Sequence, residues 1–326
     1  MKVQNSFSVP QNLQSTAGKS AGSAGLDQVK TPPALRHFDS TFVIPKAQQH
    51  KGGPSNDKAA TGPEKAKGGP YNLTNHGGAV LTKPVIHNIY IGNYWSSGQG
   101  AKDKTENEAA AKDFGQSKMM DVAKQYGAGA TTLGNSTVVS QSSPKKMTDA
   151  DIQKAVKTAI AQGKVTKDAQ GLYTVILPPG TVLDAGGGVT SKQGLGGYHG
   201  SFDDGTGKPV YYAAIAYSDT KGNGINFDGK AQDNINITES HEWMEAMTDP
   251  DVNSTIPGRG LGWYDDTADG EIGDLMMPQE LQAGRPISQS FEKDAGGFMQ
   301  QMEWSNKDKL FEIDTAANRT KVAGNS

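Results

Sequence analysis

The chain changes character near residue 70, and that boundary limits where a core can form. Residues 1–70 are dominated by Ser, Gly, Pro, Gln, Lys and Ala, as in Gly52-Gly53-Pro54-Ser55-Asn56-Asp57-Lys58 and Gly62-Pro63-Glu64-Lys65-Ala66-Lys67-Gly68-Gly69-Pro70. Such a stretch buries too little apolar surface to offset the entropy of ordering it. It reads as a disordered leader and a candidate secretion signal, in which the short patch Phe42-Val43-Ile44 has the apolar character to dock on a folded body. One folded domain is expected over residues 71–326. Hydrophobic residues make up 34% of the chain, and 41 glycines bring it towards the composition of a loop-rich globular protein.

Several classes of function drop out early. A formal net charge of -3 gives no basic footprint for nucleic acid. No apolar run approaches the roughly 18 residues that a membrane-spanning helix needs. With no cysteine, disulfides, thiol nucleophiles and thiolate metal sites are excluded together. Any metal must be held by His, Asp and Glu. The N-terminus lacks the apolar core of a classical secretory signal, which leaves cytoplasmic residence or export by a polar leader.

Helices and strands alternate without a strict βαβ rhythm, so the fold class expected is α/β, with α+β as the alternative. Strands are expected at Val85–Ile91, at Leu172–Leu177 closed by Pro178-Pro179-Gly180, and at Val210–Tyr217. One helix is expected over residues 103–126. Another starts at the N-cap Thr148, with Asp149 and Asp151 in its first turn and Ile152, Val156 and Ile160 on its apolar side, and stops at Gly163. A third is expected over residues 236–248, and a terminal hairpin from Phe298–Trp304 and Leu310–Ile313.

The third helix carries the chemistry. His241 and Glu245 lie one turn apart on a common face, the spacing by which a helix offers two ligands to one ion. Zinc accepts both imidazole and carboxylate. Glu242 then occupies the place of a general base beside the ion. A third ligand is sought in Gly262–Asp274, with Glu271 first and Asp274 as the alternative ligand or as a partner orienting His241. Tyr264 is a candidate donor to a developing oxyanion. The bland counterparts are an exposed acidic face made of Glu239, Glu242 and Glu245, and a turn or calcium loop made of Asp265, Asp266 and Asp269.

The block Ser240-His241-Glu242-Trp243-Met244-Glu245-Ala246-Met247-Thr248-Asp249-Pro250, followed by Gly262-Trp263-Tyr264-Asp265 and Gly270-Glu271-Ile272-Gly273-Asp274, resembles the EXORDIUM / phosphate-induced protein family and its bacterial relatives. His76-Gly77-Gly78-Ala79-Val80-Leu81, Ile89–Trp95, Leu177-Pro178-Pro179-Gly180, Gly197-Tyr198-His199 and Trp304-Ser305-Asn306 fit the family pattern in the same order, over about residues 75–314. The resemblance implies a single zincin-like domain with a mixed sheet and a zinc site on the H-E-x-x-E helix. It also promotes His199, otherwise a lone histidine in a Gly-rich loop, to a ligand or proton donor.

Two family cysteines are replaced here, by Gly196 and Met276. Loss of both suits a reducing compartment or unfolded passage through a secretion channel. Together with the polar leader, this leads to the expectation of a bacterial effector delivered into a host cell. The function expected is a zinc-dependent hydrolase, foremost a metallopeptidase acting on a protein or peptide, with a host protein as one candidate. The competing expectation is a non-catalytic protein- or glycan-binding module with a structural metal, using Tyr211, Tyr212 and Trp263 as exposed contacts.

Overall fold

The computed structural model describes residues 41–43 and 71–313, apart from 220, 228–229, 253, 255–258 and 277–289. Most of the expected leader, Ile44 included, lies outside the described residues. Thr41–Val43 instead forms a strand, β1, so part of the expected docking patch joins the domain.

The remaining strands, in chain order, are β2 Thr74–Asn75, β3 Val85–Ile91, β4 Thr132–Leu133, β5 Thr137–Val139, β6 Lys146–Thr148, β7 Gly171–Ile176, β8 Val182–Gly186 and β9 Val189–Thr190. They continue with β10 Leu195–Asp203, β11 Pro209–Ile215, β12 Trp263–Tyr264, β13 Phe291–Lys293, β14 Met299–Gln301, β15 Glu303–Ser305 and β16 Leu310–Glu312. The helices are α1 Gly98–Phe114, α2 Met119–Gln125, α3 Asp149–Ala161 and α4 Ala231–Thr248.

A seven-stranded mixed sheet runs in the order β1-β10-β11-β7-β3-β4, with β5 following β4 along the same edge of β3. β11, β7 and β3 are parallel, whereas β10 runs antiparallel to both of its neighbours, β11 and β1. The whole of β7 is buried, as befits a parallel strand covered on both faces. Its side chains alternate between two cores. Leu172 and Ile176 join Phe114, Trp243, Met244 and Met247 on the face covered by α1, α2 and α4. Tyr173 and Val175 join Ile152, Val156 and Ala159 of α3 on the other. The fold is therefore α/β in three layers.

Three local expectations need revision. The helix expected over 103–126 is two helices. A Cβ on Gly115 would meet the Thr131 carbonyl oxygen at 2.6 Å, so the chain turns where only glycine fits. The segment Phe298–Trp304 is split between two hairpins, β13–β14 and β15–β16. His199 lies within the nine-residue strand β10, not in a loop.

Candidate metal centre

α4 begins at Ala231, earlier than expected, and every residue from Gln232 to Thr248 is buried. The exposed acidic face is thereby overturned, since Glu239, Glu242 and Glu245 all lie inside. Trp243 anchors the helix to the sheet, its Nε1 donating to Thr174 Oγ1 at 2.9 Å and its ring 5.2 Å from that of Phe114. On another side, Glu239 accepts from Asn107 Nδ2, and Asn107 Oδ1 accepts from the Tyr90 hydroxyl at 2.7 Å. Pro250 follows the last turn, where the Asp249 amide donates to the Glu245 carbonyl at 2.7 Å.

Strand parity places His199 against this helix. His199 pairs with Ala213, whose side chain belongs to the α4-side core. Gly197 shares that face, and a Cβ there would meet Thr238 Cγ2 at 2.7 Å and Glu242 Oε1 at 3.1 Å. Glycine at 197 thus lets β10 and α4 approach closely enough for His199 to reach the helix carboxylates.

Each imidazole is oriented by an acceptor behind it. His199 Nε2 donates to the Asp249 carbonyl at 3.2 Å; a carbonyl only accepts, so in the neutral ring Nδ1 carries the lone pair. That Nδ1 faces Glu242 Oε2 at 3.3 Å and Glu245 Oε2 at 3.6 Å. His241 Nδ1 meets Gln301 Oε1 at 3.2 Å, and the Gln301 amide is itself turned by donating Nε2 to the Gly273 carbonyl at 2.5 Å. His241 Nε2 therefore faces Glu245 Oε1 at 3.1 Å and Asp274 Oδ1 at 3.9 Å. Such outer partners fix ring and tautomer at metal sites.

The expected ligands fall into two groups. His241, Glu245 and Asp274 have donor atoms within 4.8 Å of one another, as do His199, Glu242 and Glu245. Glu271, first choice as third ligand, instead lies 3.6 Å from His199 Nε2, while its amide donates to Asp274 Oδ2 at 3.2 Å. The Tyr264 hydroxyl donates to Asp269 Oδ1 at 2.9 Å. Asp265 closes a turn, accepting from the amides of Thr267 and Ala268, both at 2.9 Å, and of Asn72 at 2.7 Å. The turn reading thus accounts for that acidic stretch. Tyr211 and Tyr212, expected as exposed contacts, are buried.

The electrostatics set neutral imidazoles against buried carboxylates. Burial pulls His199 down to about 3 and His241 to about 4, so both rings are neutral near pH 7. Burial pushes Glu245 well above the usual carboxylate range, and the facing Gly273 amide offsets this only in part. Glu271 is raised by burial and then by the negative charges of Glu245, Asp249, Asp274 and Glu242. Lone pairs of neutral imidazoles thus point at buried carboxylates. A proton on each carboxylate or a cation between the groups resolves that arrangement. Neutral imidazole plus carboxylate is a donor set that fits a divalent metal.

Gln301, the Asp249 carbonyl and Glu303 were not singled out from the sequence. Glu303 is buried and raised first by burial, then by Glu245 and Asp274. A lone glutamine in a strand carries no signal of its own, and a main-chain acceptor carries none at all. No protein-family model, curated protein or solved structure matches the chain.

Proposed function

We propose that the chain is a zinc-dependent hydrolase, foremost a metallopeptidase, with His241, Glu245 and Asp274 holding the ion and Glu242 as general base. The observation that supports this best is the position of Glu242, beside that group yet outside it, with Oε2 3.3 Å from His199 Nδ1. A bound divalent cation supplies Lewis-acid polarisation of a substrate carbonyl and of the attacking water. Glu242 takes the proton of that water. His199 Nδ1 then accepts a hydrogen bond from the protonated Glu242, and the Asp249 carbonyl holds the ring in the tautomer this requires. The Glu271 amide positions Asp274, whose side chain is 25% exposed and forms the solvent edge of an otherwise buried group. The zincin-like resemblance fits this reading, as does a helix carrying His241 and Glu245 beneath a mixed sheet.

One observation favours a second reading. His199, His241, Glu242, Glu245 and Glu271 are all fully enclosed, and closed sites are the mark of structural metals. On that reading the chain is a protein- or glycan-binding module. Metal analysis of the full chain, with Glu242→Gln beside wild type and a peptide panel as substrate, separates the two. Hydrolysis by wild type only, with equal zinc in both proteins, supports the peptidase. Zinc without hydrolysis by either, and a melting temperature that falls on chelation, supports the module. No helix among the described residues is long and apolar enough to cross a membrane. The cysteine-free chain supports action in a reducing compartment or passage through a secretion channel, with a host-cell protein as substrate and cytoplasmic action as the alternative.

A further inference from the structure

The two donor groups share Glu245, and they share it through different oxygens. Oε1 faces His241 Nε2 at 3.1 Å, with Asp274 completing that group. Oε2 faces His199 Nδ1 at 3.6 Å, with Glu242 completing the other. Each imidazole is tethered behind by its own acceptor, Gln301 for His241 and the Asp249 carbonyl for His199. A carboxylate whose two oxygens are turned towards two separately oriented imidazoles has the disposition of a bridging ligand. The Gly273 amide faces Glu245 outside ordinary hydrogen-bond geometry, and no oxygen of Glu245 or of Glu271 beside it has a partner of ordinary geometry among the described residues, although both side chains are fully buried. No lysine or arginine pairs with either of them among the described residues.

We infer that the centre holds two divalent cations bridged by Glu245, the first on His241 and Asp274, the second on His199 and Glu242. Bridged pairs lie about 3.5–4 Å apart, a separation that one carboxylate spans. Each position offers one imidazole and two carboxylates, a donor set that accepts harder divalent cations as well as zinc. This inference rests on the metal reading above and adds a consequence to it. The second ion competes for the Glu242 oxygen that serves as base, so the one-ion form is the working hydrolase and the second position acts as a brake.

The test is a count. The full chain, stripped with chelator, is titrated with Zn2+ and followed by native mass spectrometry. Two successive adducts are expected in wild type. His199→Asn should keep only the first and His241→Asn only the second, while the near-isosteric Glu245→Gln should weaken both steps by more than the roughly 10–100-fold cost of losing an outer partner. One adduct in wild type overturns the second site and leaves the single-ion reading standing. No adduct removes the metal reading itself. Two adducts that survive Glu245→Gln at unchanged affinity are adventitious and overturn the bridge. A wild-type count of one or none overturns the second site even if a variant fails to fold.

Discussion

α3 and α4 lie on opposite faces of the same sheet and are stabilised in opposite ways. α3 accounts for itself: Thr148 and Asp151 form a capping box at its start, and Ile152, Val156 and Ala159 face the sheet while the other side is wetter. α4 has no side-chain cap and no wet face. Trp243, Met244 and Met247 supply its apolar contacts, but Glu239, His241, Glu242 and Glu245 are enclosed with them. A helix of the first kind is held by its packing and its cap. One of the second kind must also satisfy its buried polar groups, here through Asn107 and Gln301 and, on the present reading, through a cation.

Substitutions can break this contrast, and Trp243→Ala should do most damage. It removes a large buried ring and leaves Thr174 without its donor, so about 3–5 kcal/mol of stability should be lost in denaturant unfolding. Ile152→Ala on α3 is expected at the lower part of about 2–5 kcal/mol. If Ile152→Ala cost more than Trp243→Ala, α4 would not be the principal anchor on its face. Gly273→Ala comes next. The new Cβ would meet His241 Nδ1 at 2.6 Å and Glu245 Oε1 at 2.9 Å, so zinc affinity should fall by at least about 100-fold while the α3 side of the sheet stays unaffected. Unchanged affinity in a calorimetric titration would mean that His241 and Glu245 are not ligands. Gln301→Ala, which only releases the His241 ring, should cost about 10–100-fold in the same titration.

pH sharpens the comparison because the two helices respond with opposite sign. Glu245 and Glu271 have folded-state values raised above the ordinary 4.5. Their contribution is fully present below that value and is lost as pH rises towards the folded-state values. His199 and His241, lowered from 6.5 by burial, act in the opposite sense but add nothing further once pH exceeds that value. Above it the metal-free protein should therefore melt at temperatures that fall as pH rises, and the zinc-loaded protein, in which the ion replaces the protons, should not. Parallel curves for the two forms would count against a cation at these carboxylates. Asp151 is lowered from 3.8 by its hydrogen bonds to Thr148, so its contribution is present above that value and is lost only as pH falls below it. The smallest effect is Thr148→Ala, about 1 kcal/mol, without change in zinc affinity.

The same contrast explains what was legible in the sequence. α3 could be placed almost to the residue because its signals are local: a capping threonine, acids in the first turn and apolar residues one turn apart. β3, β7 and β11 were readable as apolar runs, since strands covered on both faces need no alternation. α4 was readable only where His241–Met247 forms a motif. Its first turns, Ala231–Asn236, are rich in polar residues that read as exposed, and their burial depends on partners far along the chain. β10 was missed because Leu195-Gly196-Gly197-Tyr198-His199-Gly200 reads as a glycine-rich loop. Gly197 answers to a helix that crosses above, as its contacts with Thr238 and Glu242 show, and nothing local reports that crossing. For the candidate site, the helix pair His241 and Glu245 was legible from spacing, whereas the placement of Glu271 and Asp274 depends on how the chain from Glu271 to Asp274 turns back on His241 and His199.

β1 comes from the part of the chain that composition alone would discard. It covers the outer edge of β10 at Tyr198, Gly197 and Leu195. A chain trimmed to start at Tyr71 leaves that edge as a row of bare amides and carbonyls, a template for a strand from another copy. The exposed row would run directly beside His199. Cutting away the low-complexity leader, an ordinary remedy for a protein that resists crystallisation, would here manufacture stickiness at the rim of the candidate centre.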